Sequence, residues 1–491
     1  MDTWGLQEDV LMERASLGAW QVFRARFPES RHLVVVCGPG ANGGDGLALA
    51  RHAFVDGFCP TVVGIGPKPD PSTASGRQYE ILRRLGVSVT SWSEFHTRSS
   101  ENPSAPAVDA MFGTGLSRPL AGEAAEAAAW LSKRPTLALD LPSGLDGATG
   151  QPLGPCVTAM ATATFGRTKP GLFLHPGREF AGEVQVVDLG LPKGSWEFAG
   201  GAVVLLDASW SHRRMVPRPR GAHKGGAGRA FLLCGSEAYL GAAILCTSAC
   251  LRSGAGLVSV GTTESVRSIL VSAVPEAMAS VAIGNISDPA ALQRRIETAD
   301  ALLAGPGLGT SPEAAQALEL LLRHARSSVV LDADGLNLLA AHADLRALLA
   351  LAAHAHGVVL TPHPLEASRL LGTPVDTLLA DPLRAARSLA DQFGCVAVFK
   401  TATPVIASPS GDLAIGVAGH PGMAVGGMGD ALAGAIAARL AEGIELYEAT
   451  CQAVRAHARA GDIAGVNGRR GMSVTDLVAA LPQAWEEMES P

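Results

Sequence analysis

The chain is expected to fold as two successive α/β domains, each built on a mostly parallel sheet with helices on both faces. Three observations predict this. Short apolar runs of strand length alternate with helix-length patterns through both halves of the 491 residues. The alternation fades after Leu191, where the chain turns basic and rich in Pro and Gly in "SHRRMVPRPRGAHKGGAGR", and it resumes beyond Arg229. Each half also carries one glycine-rich run, "GPGANGGDG" (38–46) and "HPGMAVGGMGD" (420–430), that follows apolar strand-like sequence and precedes a helical pattern.

The elements follow in order. After a polar, helix-compatible start, "RHLVVVCG" reads as a buried strand and "GLALARHAF" as the helix behind its glycine turn. "TVVGIG", "AVDAMFGTG", "TLALDLPSG", "ATATFG" and "EVQVVDLG" continue the strands, with "TASGRQYEILRRLG" and "GEAAEAAAWLSKR" as helices between them. Such alternation implies a parallel sheet buried on both faces. Residues 191–222 read as a linker between a first domain, 1–190, and a second, 223–491. The second series runs "AFLLCG", "GLVSVG", "ADALLAGPG", "SSVVLDADG" and "GVVLTPH", then the strand pair "CVAVFK" and "TPVIASPSGDLAIG". Two helices close it, "YEATCQAVRAHARAGDIAG" and "TDLVAALPQAWEEM".

Composition narrows the function classes. Hydrophobic residues make up 47% and charged residues 17%, the balance of a globular enzyme rather than a disordered chain. A net charge of −7 argues against a nucleic-acid partner, because phosphate affinity needs an excess of Lys and Arg. Eight scattered cysteines without a CxxC pair read as free, buried thiols of a reducing compartment. No run reaches the eighteen or so apolar residues that suggest a membrane helix, so the expected location is the cytoplasm.

The run ending at Asp430 poses a chemical question. A helix start offers unpaired N–H groups and partial positive charge, and Gly426, Gly427 and Gly429 would let an anion approach them. An acid at that mouth would repel a phosphate unless it takes a proton from a hydroxyl that attacks phosphorus. Asp430 is therefore the candidate base, with an ordinary N-cap as the competing reading.

Here the chain resembles the ribokinase-like superfamily, in which Gly-x-Gly-Asp opens a helix as anion hole plus base. "HKGGAGR" (223–229), "GAAILCTSACLRSGAGLV" (241–258), "GPGLG" (305–309), "LDADGLN" (331–337), "TPHPLE" (361–366) and "GHPGMAVGGMGD" (419–430) resemble, in this order, the ADP- or ATP-dependent NAD(P)H-hydrate dehydratase family. The resemblance implies a substrate in which water has added across the 5,6 bond of the reduced nicotinamide, and ADP or ATP as phosphoryl donor. It makes Asp430 the base, and places Ala242, Gly307 and His363 at the hydrate. It assigns Lys400, Thr401, Ala402, Thr403, Gly427, Met428 and Gly429 to the nucleotide, with Mg2+ accompanying it. Asp332 and Asp334, acids after a strand, suit a magnesium ion near phosphates but equally a turn and an N-cap. The chain departs from that family at Leu365, where Gly is usual, at the "TAT" of 401–403, and at Met428, where Ser or Thr is usual.

The upstream "GPGANGGDG" lacks the Gly-x-Gly-x-x-Gly spacing of a dinucleotide fingerprint. Joined to "VDAMFGTGL" (108–116), "LDLPSGLDGATG" (139–150) and "FGRTKPGLFLHPG" (165–177), it resembles the NAD(P)H-hydrate epimerase domain. That resemblance implies a potassium site of Asn42, Asp109 and Ser143, with Asp140 as the acid/base group. It also implies a phosphate and ribose cradle of Gly43, Gly44 and Asp45 with Gly113, Thr114, Gly115 and Leu116. Ala41 stands where an Asn is usual. Together the two resemblances imply a Rossmann-like three-layer domain followed by a ribokinase-like α/β domain. They also imply a homo-oligomer that repairs hydrated NADH or NADPH. The competing reading is a small-alcohol kinase fused to a non-catalytic scaffold.

Overall fold

A computed structural model describes residues 5–98, 105–192, 202–284 and 288–490. The chain divides into two compact units, Met1–Gly200 and Gly201–Pro491.

In the first unit seven strands form one sheet: β1 (His32–Cys37), β2 (Cys59–Gly64), β3 (Val89–Ser91), β4 (Ala107–Ala110), β5 (Thr136–Leu139), β6 (Ala161–Phe165) and β7 (Glu183–Val187). All pairs are parallel, in the order β3-β2-β1-β4-β5-β6-β7. The helices are α1 (Glu8–Arg26), α2 (Ala41–Val55), α3 (Ala74–Arg84), α4 (Trp92–Arg98), α5 (Glu123–Leu131) and α6 (Gly177–Ala181). The chain leaves β1 in one direction and returns to β4 on its other side, so a crevice opens at the carboxyl ends of these two strands. "GPGANGGDG" lies there, but most of it is the start of α2 rather than a turn. Its glycines answer to close packing: a Cβ at Gly43 would run into the Gly38 carbonyl, and one at Gly46 into Ala110.

The second unit holds a ten-stranded sheet: β8 (Val203–Leu206), β9 (Arg229–Leu233), β10 (Leu257–Thr262), β11 (Met278–Val281), β12 (Ala301–Ala304), β13 (Ser328–Leu331), β14 (Val358–Leu360), β15 (Val396–Phe399), β16 (Val405–Ala407) and β17 (Leu413–Gly416). The order is β11-β10-β9-β12-β13-β14-β15-β16-β17-β8, and only β16 runs against its neighbours. Around it lie α7 (Ala208–Arg214), α8 (Leu240–Arg252), α9 (Glu264–Ala273), α10 (Pro289–Glu297), α11 (Pro312–His324), α12 (Asp334–Ala341) and α13 (Ala343–His356). The series ends with α14 (Pro364–Leu371), α15 (Val375–Ala380), α16 (Pro382–Phe393), α17 (Met428–Ala441), α18 (Leu446–Ala464) and α19 (Val474–Glu489).

The expected linker 191–222 is corrected here. Residues 203–206 form β8 on β17, and Asp207 caps α7 by accepting the N–H of Trp210. The buried centre is α17, whose residues from Ala431 to Ala441 are all buried. It lies so close to α8 that a Cβ at Gly434 would run into the Cys246 carbonyl. Among the described residues no single helix is long and apolar enough to cross a membrane.

Candidate active sites

In the second unit the carboxyl ends of β12 to β15 converge on the start of α17. Asp332 follows β13 and is 1% exposed; it pairs with Lys400 at the end of β15 and accepts the Thr361 hydroxyl at 2.8 Å. Parallel neighbours make this possible, since β13, β14 and β15 end side by side. Gly429 keeps room for the pair, because a Cβ there would lie 3.2 Å from Lys400 Nζ and 3.5 Å from Asp332 Oδ2. Asp334 accepts the Gly309 N–H at 2.9 Å and the Asn337 amide at 3.2 Å. Both acids suggested for magnesium are thus already engaged. Among the described residues no cluster of three His, Cys, Asp or Glu side chains could hold a metal ion.

Asp430 sits in the first turn of α17, behind Gly427, whose φ of 95° is the left-handed conformation that glycine allows. Burial is the main cause that pushes its carboxyl up to about 7; Asp332, Asp334 and Glu366 add to it, and Lys400 opposes them. An aspartate that titrates near neutrality beside free helix N–H groups is equipped as a proton acceptor.

His363, expected at the hydrate, caps α14. Its Nδ1 accepts the N–H groups of Leu365 at 3.1 Å and Glu366 at 3.3 Å, while Glu366 accepts the His363 N–H at 2.8 Å, a reciprocal cap of α14. Burial first, then Lys400, lowers its pKa, so the neutral ring keeps its proton on Nε2. Gly307, with φ of 57°, packs on the start of α8, where a Cβ would lie 2.7 Å from that of Ala242. Thr401 folds its own turn, donating to the Thr403 carbonyl at 2.6 Å with Ala402 between them. Met428 carries its side chain into the core, and Leu365 is 48% exposed.

The Lys400–Asp332 pair gives a first prediction. Lys400→Met should leave a buried carboxylate without its cation and cost roughly 3–5 kcal/mol. It should also move the Asp430 titration upward, because Lys400 is the group that opposes that rise. Thermal unfolding and a pH–rate profile check both; an unchanged melting point would rule out the pair as a structural brace.

In the first unit the site forms at the β1–β4 crevice. Asp109 is fully buried and accepts the Ser143 hydroxyl and backbone N–H, each at 2.7 Å, and the Met111 N–H at 3.2 Å. Burial raises its pKa to about 6 against the pull of those bonds. Asn42, in the first turn of α2, buries both amide atoms without any partner. Asp140 follows β5 with φ of 64°, pairs with Lys169 and accepts the Phe165 N–H at 3.3 Å. Gly113 keeps the approach open: a Cβ there would lie 3.0 Å from Asp140 Oδ2 and 3.6 Å from Asn42 Cγ. Thr114 and Gly115 are exposed and Leu116 half-buried in the loop that follows. Asp45, one turn beyond Asn42, is buried, and burial followed by Asp140 pushes its carboxyl well above the ordinary range. Ala41 is exposed at the helix start, so the missing Asn leaves no buried gap.

Among the described residues, Asp140 and Ala333 are the two non-glycine positions with left-handed φ, one at each site. Lys169, Glu366 and the partnership of Lys400 with Asp332 escaped sequence reasoning. Lys169 stood inside a quoted motif, but nothing local announced its pairing with an acid 29 positions earlier.

Comparison with known proteins follows the same division. Residues 8–171 match the family model of the YjeF-related protein N-terminus, and residues 230–483 match that of NAD(P)H-hydrate dehydratase. A bifunctional NAD(P)H-hydrate repair enzyme of Moorella thermoacetica is 35% identical over 98% of this chain and 93% of its own length. One of Escherichia coli is 36% identical over 98% and 90%. Among solved structures, an ADP/ATP-dependent NAD(P)H-hydrate dehydratase from Bacillus subtilis, co-crystallised with ATP/Mg2+, has TM-score 0.50 and 29% identity, covering 58% of this chain and 99% of that one. A ribokinase-like superfamily protein of Enterococcus faecalis has TM-score 0.51 and 28% identity, covering 59% and 97%.

Proposed function

The chain belongs to the bifunctional NAD(P)H-hydrate repair enzymes, and from that membership we propose how its two sites divide the work. The first unit interconverts the R and S hydrates of NADH or NADPH; the second dehydrates the S hydrate at the expense of ADP or ATP. Spontaneous hydration gives both epimers, so a dehydratase selective for one would strand the other. Relatives that match over both halves favour this reading over a small-alcohol kinase joined to a scaffold.

In the second unit Asp430 takes the proton of the ring hydroxyl as its oxygen attacks the terminal phosphorus. The bond from phosphorus to the bridging oxygen breaks and the shortened nucleotide leaves. The backbone N–H groups of Gly427, Met428 and Gly429 face the charge that develops on the transferred phosphoryl group. Loss of phosphate from one ring carbon and of a proton from the next restores the double bond. Lys400 and the turn 401–403 suit the nucleotide, with Ala242, Gly307 and His363 at the hydrate. Mg2+ bound with the nucleotide would supply charge neutralisation on its phosphates. The observation that carries this reading is Asp430, half-buried in the first turn of α17 with its carboxyl raised to about 7. The test is to add ADP or ATP to hydrated NADH and follow the reduced-nicotinamide absorbance; no recovery with either nucleotide would refute it.

In the first unit inversion requires the hydroxyl to leave and water to return, with the ring nitrogen supplying the electrons. Asp140, paired with Lys169, gives a proton to the departing oxygen and takes one back from the incoming water. Asp45, whose carboxyl burial and Asp140 raise well above the ordinary range, adds a hydrogen-bond donor to this site. Asn42, Asp109 and Ser143 form an oxygen-rich set that fits potassium. Its carboxylate is fully buried and its Asn42 amide unpartnered. The ion would supply positive charge against Asp109. Potassium in place of a larger quaternary cation should therefore raise the melting point, by about 2.7 kcal/mol of stabilisation at 100 times its dissociation constant. Asn42→Leu should abolish that increment; equal stabilisation of the variant would dismiss Asn42 as a ligand. The eight free cysteines, six of them buried, suit the reducing cytoplasm.

A further inference from the structure

The segment from Gly419 to Asp430 lies across one face of α18, and that face is shaped to receive it. Asp462 accepts the Gly419 N–H at 3.3 Å at one end of the segment. At the other, His457 Nε2 lies 3.0 Å from the Met428 carbonyl oxygen, and since a carbonyl can only accept, the imidazole N–H donates. Between them, Gly461 and Gly465 leave hollows, because a Cβ on the first would run into Met423 Sδ and one on the second into the His420 ring. His457 and Gly461 lie four residues apart on α18 and Gly465, its C-cap, four further on, so the three continue one stripe.

His457 is 8% exposed, and burial lowers its pKa to about 4, so it is a neutral donor throughout the working range. The Met428 carbonyl belongs to the residue whose N–H, with those of Gly427 and Gly429, faces the reacting phosphoryl group. The side chain of Met428 is sunk in the core. Core burial holds one side of this residue and the imidazole holds its peptide plane.

We propose that His457 is a positioning residue for the dehydration, fixing the peptide at Met428 and hence the first turn of α17 that carries Asp430. This rests on the dehydratase reading above. A group that aligns the reacting geometry acts on kcat more than on nucleotide affinity. His457→Gln keeps an N–H donor at nearly the same reach, whereas His457→Leu keeps bulk and loses the donor.

The test is steady-state kinetics of ADP- or ATP-dependent recovery of NADH from the S hydrate by the full chain. For His457→Leu, kcat should fall about tenfold or more with the nucleotide KM nearly unchanged, and His457→Gln should recover most of the loss. An unchanged kcat in the Leu variant, or equal losses in both, would overturn the proposal. An inactive wild type would overturn the dehydratase reading instead. Should the Leu variant fail to fold, Gly461→Ala decides. Alanine favours the helix, yet it should lower kcat by displacing Met423, and Met423→Ala in the same chain should restore it. A Gly461→Ala enzyme with full kcat would also overturn the proposal.

Discussion

Asp430→Asn should reduce nucleotide-dependent recovery of NADH by about 10²–10⁴-fold while nucleotide binding persists. The side chain keeps its shape and loses only the ability to accept a proton. Calorimetric titration with ADP or ATP separates the two effects; an active variant would refute the role of base. The wild-type profile has a determined sign. The base works ionised, and its carboxyl is raised to about 7, so kcat should climb as pH rises through about 7 and then level. Stability should run the opposite way. A folded pKa above the unfolded value means that the protonated native group contributes stability at acid pH, and that this contribution is lost as pH rises through about 7. Above that pH the wild type holds an ionised Asp430 near Asp332, Asp334 and Glu366. The Asn variant does not, so it should melt a few degrees higher at pH 8 and equal the wild type near pH 4.

That trade of stability for reactivity explains why the site resists reading from one chain alone. Strands such as "RHLVVVC" and "ADALLAG" were legible because a buried parallel strand is apolar on both faces and announces itself locally. The acid after a glycine run was legible as well. β8 was not, since its sheet partner, β17, comes about two hundred residues later. Its four apolar residues before the Asp207 cap were the available signal. "GPGANGGDG" reads as a turn because glycine is the turn residue, yet most of its glycines are helical. What demands them is contact with Gly38, Met12 and Ala110, which only the folded chain brings near. The same holds for charge. Asp332 and Lys400 are 68 positions apart and meet because their strands end two places from each other in the sheet. His457 sits in an ordinary helical pattern, and its role depends wholly on which segment lies over it.

Asp140→Asn should reduce conversion of the R to the S hydrate by about 10²–10⁴-fold and leave dehydration of pure S hydrate untouched. The substitution is mild for the fold. Asn is among the few residues that tolerate the left-handed conformation Asp140 adopts at φ 64°. Lys169 is not stranded either, since it also donates to the Thr164 hydroxyl at 3.1 Å and the Phe165 carbonyl at 3.0 Å. What is lost is a carboxylate that can receive a proton at the end of β5. With a mixture of epimers and excess ADP or ATP, wild-type recovery of NADH should run to completion. The variant should recover the S share at the normal rate and then stall, the remaining R hydrate appearing as a plateau in absorbance. Proton NMR of the residue should show R hydrate alone. Full recovery at the wild-type rate would remove Asp140 from the chemistry and leave its unusual backbone and its lysine partner as features of the fold. A plateau with unchanged melting point would mean that the strained turn after β5 is retained for the reaction rather than for stability.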